Sequence, residues 1–162
     1  MNLLNSNKEI THEFIEDVHS RLMEKIDSRK GYRTTEVRVI KANFKATPYP
    51  YIKTDMALLI KFYNENKNKL HPLVLAAVFH HKFEKIHPFM NGNGRTGRML
   101  LNYILLKNKY PPLLILKKER DDYLENLKKA DEINLTEVNE NYKPIVNFTG
   151  NQMSKNYWNI FL

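Results

Sequence analysis

Between His87 and Arg98 the chain reads HPFMNGNGRTGR, with one imidazole, three glycines and two arginines in twelve residues. Gly92 and Gly94 let the backbone turn tightly and expose its N–H groups. Together with the free N–H groups at the start of a following helix, they make a concavity suited to an anion. Arg95 and Arg98, three apart on that helix, add two guanidinium groups on one face. Cations there oppose the helix dipole at about 0.3–1 kcal/mol each, a cost that a bound anion removes. Two arginines and a nest of N–H groups suit a di- or triphosphate better than a single carboxylate. His87 reaches the same pocket as a general base. Phe89 anchors the loop to the core, while Asn93 faces the ligand and offers an amide N–H to a phosphate oxygen. Read singly, each feature is bland: a helix connection, a capping histidine, a solvated arginine pair. Their contiguity makes the case. The run is not a P-loop, since GxxxxGK[ST] is absent.

The elements that must position this run are helices. Phe14, Ile15, Val18, Leu22 and Ile26 share one face behind Thr11 as N-cap, with Gly31 as the stop. Met56, Leu59, Phe62 and Tyr63 repeat at helical spacing. Pro72 opens a helix carrying Leu73, Ala76, Ala77, His80 and Phe83. RMLLNYILLKNKY is apolar on most sides up to Lys107, and Pro111 and Pro112 stop it. Tyr123, Leu127 and Ala130 mark an amphipathic helix, and the tail to Trp158 adds one or two short ones. Residues 34–52, with β-branched residues followed by alternating prolines and tyrosines, read as a short hairpin or extended flap lying on the helices or on a ligand. The expected architecture is all-α: a compact helical bundle with a small β-hairpin flap, one domain over residues 1–162, its core at 11–131 and a helical extension at 132–162.

The chain has 162 residues and is 42% hydrophobic, enough for an ordinary core. Its net charge of +8 favours an anionic partner, or keeps a Lys-rich surface solvated. With no cysteine there are no disulfides and no thiolate zinc sites. No apolar run approaches the roughly 20 residues that span a bilayer, and the N-terminus lacks an apolar signal core. The expectation is a soluble cytoplasmic protein without membrane association. Two rival classes are legible. HKFEKIH spaces His81, Glu84 and His87 three apart beside His80, as in a metal-dependent hydrolase, yet it is not HExxH. The charge suggests a nucleic-acid-binding module, but Lys61, Lys67, Lys69, Lys107, Lys109, Lys117 and Lys118 are scattered rather than gathered on one recognition helix.

HPFMNGNGRTGR resembles the signature of Fic (filamentation induced by cAMP) domain proteins, His-x-Phe-x-(Asp or Glu)-Gly-Asn-Gly-Arg-x-x-Arg. His87, Phe89, Gly92, Asn93, Gly94, Arg95 and Arg98 match. The similarity extends outward through GYRTTEVRV, LHPLVLAAVFHHKFEKIHPF and YPPLLILKKERDDYLENLKKAD. The resemblance implies a protein adenylyltransferase, which moves AMP from ATP to a Ser, Thr or Tyr hydroxyl of a target protein and releases pyrophosphate. On that reading His87 takes the hydroxyl proton and residues 92–98 (Gly92, Asn93, Gly94, Arg95, Thr96, Gly97, Arg98) hold the phosphates. The flap (Val37, Arg38, Val39, Ile40) holds the adenosine side and docks the target as an added strand. Tyr123 and Asp131 fall where relatives contact adenosine, although Tyr123 reads equally well as core.

The departure is Asn91, where the family carries the carboxylate that holds Mg²⁺. Mg²⁺ prefers charged oxygen ligands. An amide oxygen leaves three outcomes open: weakened but sufficient metal binding with slow AMP transfer, an altered reaction such as other nucleotidyl or phosphoryl transfer or de-AMPylation, or binding without turnover. Many relatives also carry an inhibitory (Ser or Thr)-x-x-x-Glu-(Gly or Asn) helix whose Glu pairs with the second arginine, here Arg98. The chain leaves no room for one ahead of Thr11. TEVNEN, from Thr136 through Glu140 to Asn141, fits the letters. A separate inhibitory protein is the other expectation.

Overall fold

The computed structural model describes residues 8–38, 45–130 and 135–158, the side chain of Trp158 excepted. Among them lie six α-helices: α1 (His12–Met23), α2 (Ile52–Asn66), α3 (Pro72–Ile86), α4 (Asn93–Lys107), α5 (Arg120–Lys129) and α6 (Lys143–Trp158). Thr11 caps α1, its hydroxyl accepting from the Phe14 N–H at 3.2 Å. Pro72 holds the first position of α3. The bundle is organised around α3, which packs on α2, α4 and α6, while α1 lies on α4 and α5 on α6. Every residue from 75 to 86 is buried. The apolar faces read from the sequence converge there, with Phe14, Val18, Met56, Leu59, Phe62, Phe83 and Ile104 in one core.

That central position forces polar side chains inside. Lys82 is 1% exposed. Its ammonium donates to the Tyr142 hydroxyl at 2.9 Å and to the Glu137 carbonyl at 2.8 Å. It also lies 4.7 Å from the ring centroids of Phe62 and Tyr142. Burial pulls its pKa down to about 8. The contact joins the C-terminal extension to α3, and Ile145 and Phe148 of α6 enter the same core.

Three expectations are corrected. First, α1 stops at Met23 rather than near Gly31, and Ile26 is 59% exposed. The chain turns where Met23 seats against the glycine loop: a Cβ on Gly92 would lie 2.5 Å from the Met23 sulfur. Second, the tail forms one 16-residue helix, α6, preceded by a 3₁₀ turn at Glu140–Tyr142, not short pieces. Third, the β-hairpin is not seen among the described residues. Residues 34–38 and 45–48 carry no strand, and residues 39–44, with Val39 and Ile40, lie outside the described part. Alternation and β-branching suggested pairing, but among the described residues no sheet stands beside this segment. Its backbone donors turn to the helix-loop junction instead: Arg33 N–H to the Pro88 carbonyl at 2.8 Å and Thr47 N–H to the Lys85 carbonyl at 3.4 Å.

Candidate active site

His87 is the residue on which α3 ends. Its φ of 52° puts it in the left-handed region, where histidine is one of the tolerated side chains. The ring Nδ1 lies 3.2 Å from the Glu84 carbonyl. A carbonyl only accepts, so Nδ1 carries the proton and the neutral ring's lone pair sits on Nε2. Burial pushes the pKa of His87 down to about 4, and the nearby Arg33 charge adds to the effect. The imidazole is therefore neutral at pH 7, the form a general base requires.

The loop after it is locked to the core by Phe89, which is fully buried. The His19 ring stacks on Phe89 with centroids 3.7 Å apart and planes 6° from parallel. His19 Nε2–H donates to the Asn91 carbonyl at 2.9 Å. The Asn93 side chain corrects an expectation. It is 2% exposed, accepts from the Phe89 N–H at 2.9 Å and donates to the Phe89 carbonyl at 2.8 Å. Its amide closes the loop on itself rather than facing a ligand, because a buried amide must satisfy both its ends. Gly92 has φ 79°, in the left-handed region that glycine enters without strain. The first α4 backbone bond runs from Thr96 N–H to the Gly92 carbonyl, and no side chain caps the helix. The N–H groups of Asn93, Gly94 and Arg95 thus precede the helical ladder and open toward the helix N-terminus, the anion-binding geometry read from the loop.

Arg95 is exposed and Arg98 half-buried. Arg98 belongs to the second turn of α4, not the first, but its guanidinium folds back: a Cβ on Gly94 would lie 3.2 Å from its Nη1. Both cations therefore stand at the N-terminal end of α4. Thr96 and Gly97, expected to line the phosphate site, are buried against α3. A Cβ on Gly97 would meet Glu84 Oε1 at 2.5 Å and His80 Nδ1 at 2.9 Å. Gly97 is thus a point where α3 and α4 approach too closely for a side chain. Tyr123 takes the core reading: it is buried, with its hydroxyl 2.7 Å from His80 Nε2. Burial raises the Tyr123 pKa well above its usual value. Burial also raises that of Glu84 to about 7, with the Arg98 charge offsetting part of the effect.

Of the remaining expected residues, Val37 is half-buried and Arg38 exposed at the flap root, and Asp131 lies outside the described residues. Asn91 is exposed. Its Oδ1 accepts from the Gly92 N–H at 2.7 Å, and the Asp27 carboxylate lines one cavity with it. Hydrogen bonds from Arg29 hold that carboxylate well below the usual range. The cavity, of about 180 Å³, is lined also by His19, Arg29 and Arg33. The donor set fits a Mg²⁺ ion only in weak form, as one neutral amide oxygen with a carboxylate adjacent. The His80–Glu84 constellation of the hydrolase reading turns inward, with His81 Nε2 donating to the Leu127 carbonyl at 3.0 Å. Among the described residues no group of three or more His, Asp or Glu is arranged to hold a metal. Glu140, the letter match to an inhibitory motif, is 81% exposed and pairs with Lys143.

Several side chains at this site escaped sequence reasoning. Arg33 and His19 carry no motif signal, because their partners lie 54 to 72 residues away or are main-chain atoms, and Asp27, paired locally with Arg29, has nothing in its neighbourhood that points to Asn91. Glu84 was visible only as a candidate ligand, and its burial opposite a glycine could not be read from spacing.

Comparison with known proteins places this geometry. The Fic/DOC family model matches residues 9–105. Protein adenylyltransferase Fic of Drosophila grimshawi is 39% identical over 131 residues, covering 76% of this chain and 26% of the relative. The chain thus spans about a quarter of the length of the curated relatives it matches. A Fic-domain-containing signalling protein from Bacteroides thetaiotaomicron superposes with a TM-score of 0.84 at 24% identity, over 94% of this chain and 62% of the other. Fic-1 of C. elegans (a fragment of residues 134–508) superposes at 0.79 with 27% identity, over 94% of this chain and 43% of the other. With the motif, the glycine loop, helices α1 to α3 and most of α4 all inside the residues that one family model matches, the chain belongs to the Fic/DOC family.

Proposed function

We propose that this domain is a protein adenylyltransferase: it transfers AMP from ATP to a Ser, Thr or Tyr hydroxyl of a target protein and releases pyrophosphate. The observation that carries the reading is the joint geometry of His87 and the start of α4. A neutral imidazole with its lone pair on Nε2 stands at one end of a loop. At the other end lies an uncapped helix N-terminus flanked by Arg95 and Arg98. His87 takes the hydroxyl proton as the oxygen attacks the α-phosphorus. The bond from that phosphorus to the bridging oxygen breaks, and the pyrophosphate charge that develops is met by the N–H groups of residues 93–95 and the two guanidinium groups. The curated relatives bear the name of this activity. Residues 37–40 are the proposed contact for adenosine and for the target strand, and Asp131 a further adenosine contact. Exchange of AMP for another nucleotidyl or phosphoryl group is the alternative chemistry for the same site. The domain works in the cytoplasm on this reading, and no helix among the described residues is long and apolar enough to cross a membrane.

The test is incubation with ATP labelled at either the α- or the γ-phosphate. Label should enter protein from the α-position and not from the γ-position; the reverse result would replace AMP transfer by phosphoryl transfer.

Mg²⁺, when bound, screens the charge of the triphosphate. Asn91 Oδ1 is the residue of this chain that would hold it, with the nucleotide supplying most of the negative charge. Asn91→Asp should raise Mg²⁺-dependent α-labelling several-fold. Without metal the same change sets two carboxylates on the wall of one cavity, since Asp27 and Asn91 both line it. The variant should therefore melt lower than wild type in EDTA and gain more from added Mg²⁺ in thermal shift. Equal labelling and equal Mg²⁺ response in the two proteins would remove Asn91 from the metal site.

A further inference from the structure

Arg33 is a buried cation whose ion pair with a carboxylate is long and faces solvent. It is 4% exposed, and the nearest acidic oxygen, on the solvent-exposed Glu36, stands 3.7 Å away. A buried guanidinium is retained only where its donors are used. Here each nitrogen of the fork donates to a main-chain carbonyl: Nε to His87 at 2.9 Å, Nη1 to Thr35 at 2.8 Å, and Nη2 to Thr47. The Arg33 backbone N–H adds the bond to the Pro88 carbonyl at 2.8 Å. One side chain thus ties together three separate pieces of backbone. Two are the roots of the flap segment, and the third is the peptide of the left-handed residue that carries the base. Thr47 is tied in turn to α2 through its hydroxyl, which donates to Asp55 Oδ2 at 2.7 Å. No lysine could reproduce this, because an ammonium is a single point while the three carbonyls need a planar fork.

We propose that Arg33 is a positioning residue: it sets the distance between the flap roots and His87, and so the placement of a docked hydroxyl relative to the base. The proposal rests on the adenylyltransferase reading for its consequence, though not for its geometry. Arg33 touches none of residues 91–98 in the hydrogen bonds described, so the phosphate site is left intact; the flap's adenosine contact adds a smaller part of the affinity, and the effect of Arg33 should fall mainly on transfer.

The test uses the full chain with Arg33→Lys and Arg33→Met, measuring affinity for a fluorescent ATP analogue, self-labelling from α-labelled ATP at saturating nucleotide, and amide exchange at residues 34–38 and 45–48. Arg33→Met should bind nucleotide within about threefold of wild type yet label at least tenfold more slowly, with flap-root amides exchanging at least tenfold faster. Arg33→Lys should recover less than half of the labelling. A nucleotide affinity lost in step with labelling would mean general disorder and overturn the proposal, as would wild-type labelling in Arg33→Met. Should Arg33→Met not fold, wild-type protein still decides. The Arg33 Nε–H resonance should exchange slowly and show a through-bond coupling to the His87 carbonyl carbon; rapid exchange without that coupling removes the clasp. If wild type itself binds no ATP and takes no label, the functional reading has failed, while the resonance still reports on the clasp alone.

Discussion

His87→Ala is expected to lower α-labelling by a factor of about 10² to 10⁴, the usual contribution of a positioned general base. The variant should still bind nucleotide, because the proposed anion site draws on the N–H groups of α4 and on Arg95 and Arg98. Alanine removes more than a base, however. Position 87 has φ 52° and its ring bonds the Glu84 carbonyl. A residue with a plain Cβ costs roughly 1–2 kcal/mol in that conformation. His87→Asn separates the two effects, since asparagine tolerates the left-handed region and offers an amide but no base. Both variants should lose labelling alike, while only His87→Ala should melt lower. Retention of more than a tenth of wild-type labelling in His87→Asn would dismiss the imidazole as the base.

Acidification from pH 7 to pH 5 is expected to destabilise the fold by several kcal/mol. His80 is held down to a pKa of about 3 and His81 to about 4, in both cases first by burial. Each has a folded pKa below its unfolded value near 6.5, so the unfolded chain binds the extra proton. Their stabilising effect is full above the unfolded value and is lost as pH falls toward the folded one. Linkage makes this ~2 kcal/mol per histidine by pH 5. Glu84 works with opposite sign. Its pKa is raised to about 7, so the folded state holds the proton more tightly between about 4.5 and 7, and acidification returns about 2 kcal/mol. The net loss, with His87 acting in the same direction as the other two, is ~2–4 kcal/mol. For a chain of this size that is a melting-point drop of roughly 5–15 °C. His81→Gln keeps a donor for the Leu127 carbonyl and removes one titration, and should shrink the drop by about half, since Glu84 already offsets one of the three histidines. A melting point that is unchanged between pH 5 and pH 7 at fixed salt would show that these imidazoles are not held neutral by burial.

What this sequence determines by itself is whatever depends on neighbours along the chain. The period of Met56, Leu59, Phe62 and Tyr63 marks α2, Thr11 caps α1, Pro72 opens α3, and the glycines of 92–97 mark a backbone that bends and approaches closely. The site was legible for the same reason: His87, the loop and both arginines lie within twelve residues, so their proximity needs no tertiary contact. The tertiary structure decided everything that hangs on burial and on distant partners. It sent the Asn93 amide inward to Phe89, placed Tyr123 in the core, left Ile26 in solvent, and paired the flap roots with the helix-loop junction instead of with each other. It also gave Arg33 its three carbonyls, from residues 35, 47 and 87. A polar side chain is indifferent between solvent and core until the fold removes its water. Which carbonyl then receives its hydrogen bond is settled by packing, and no local pattern encodes it.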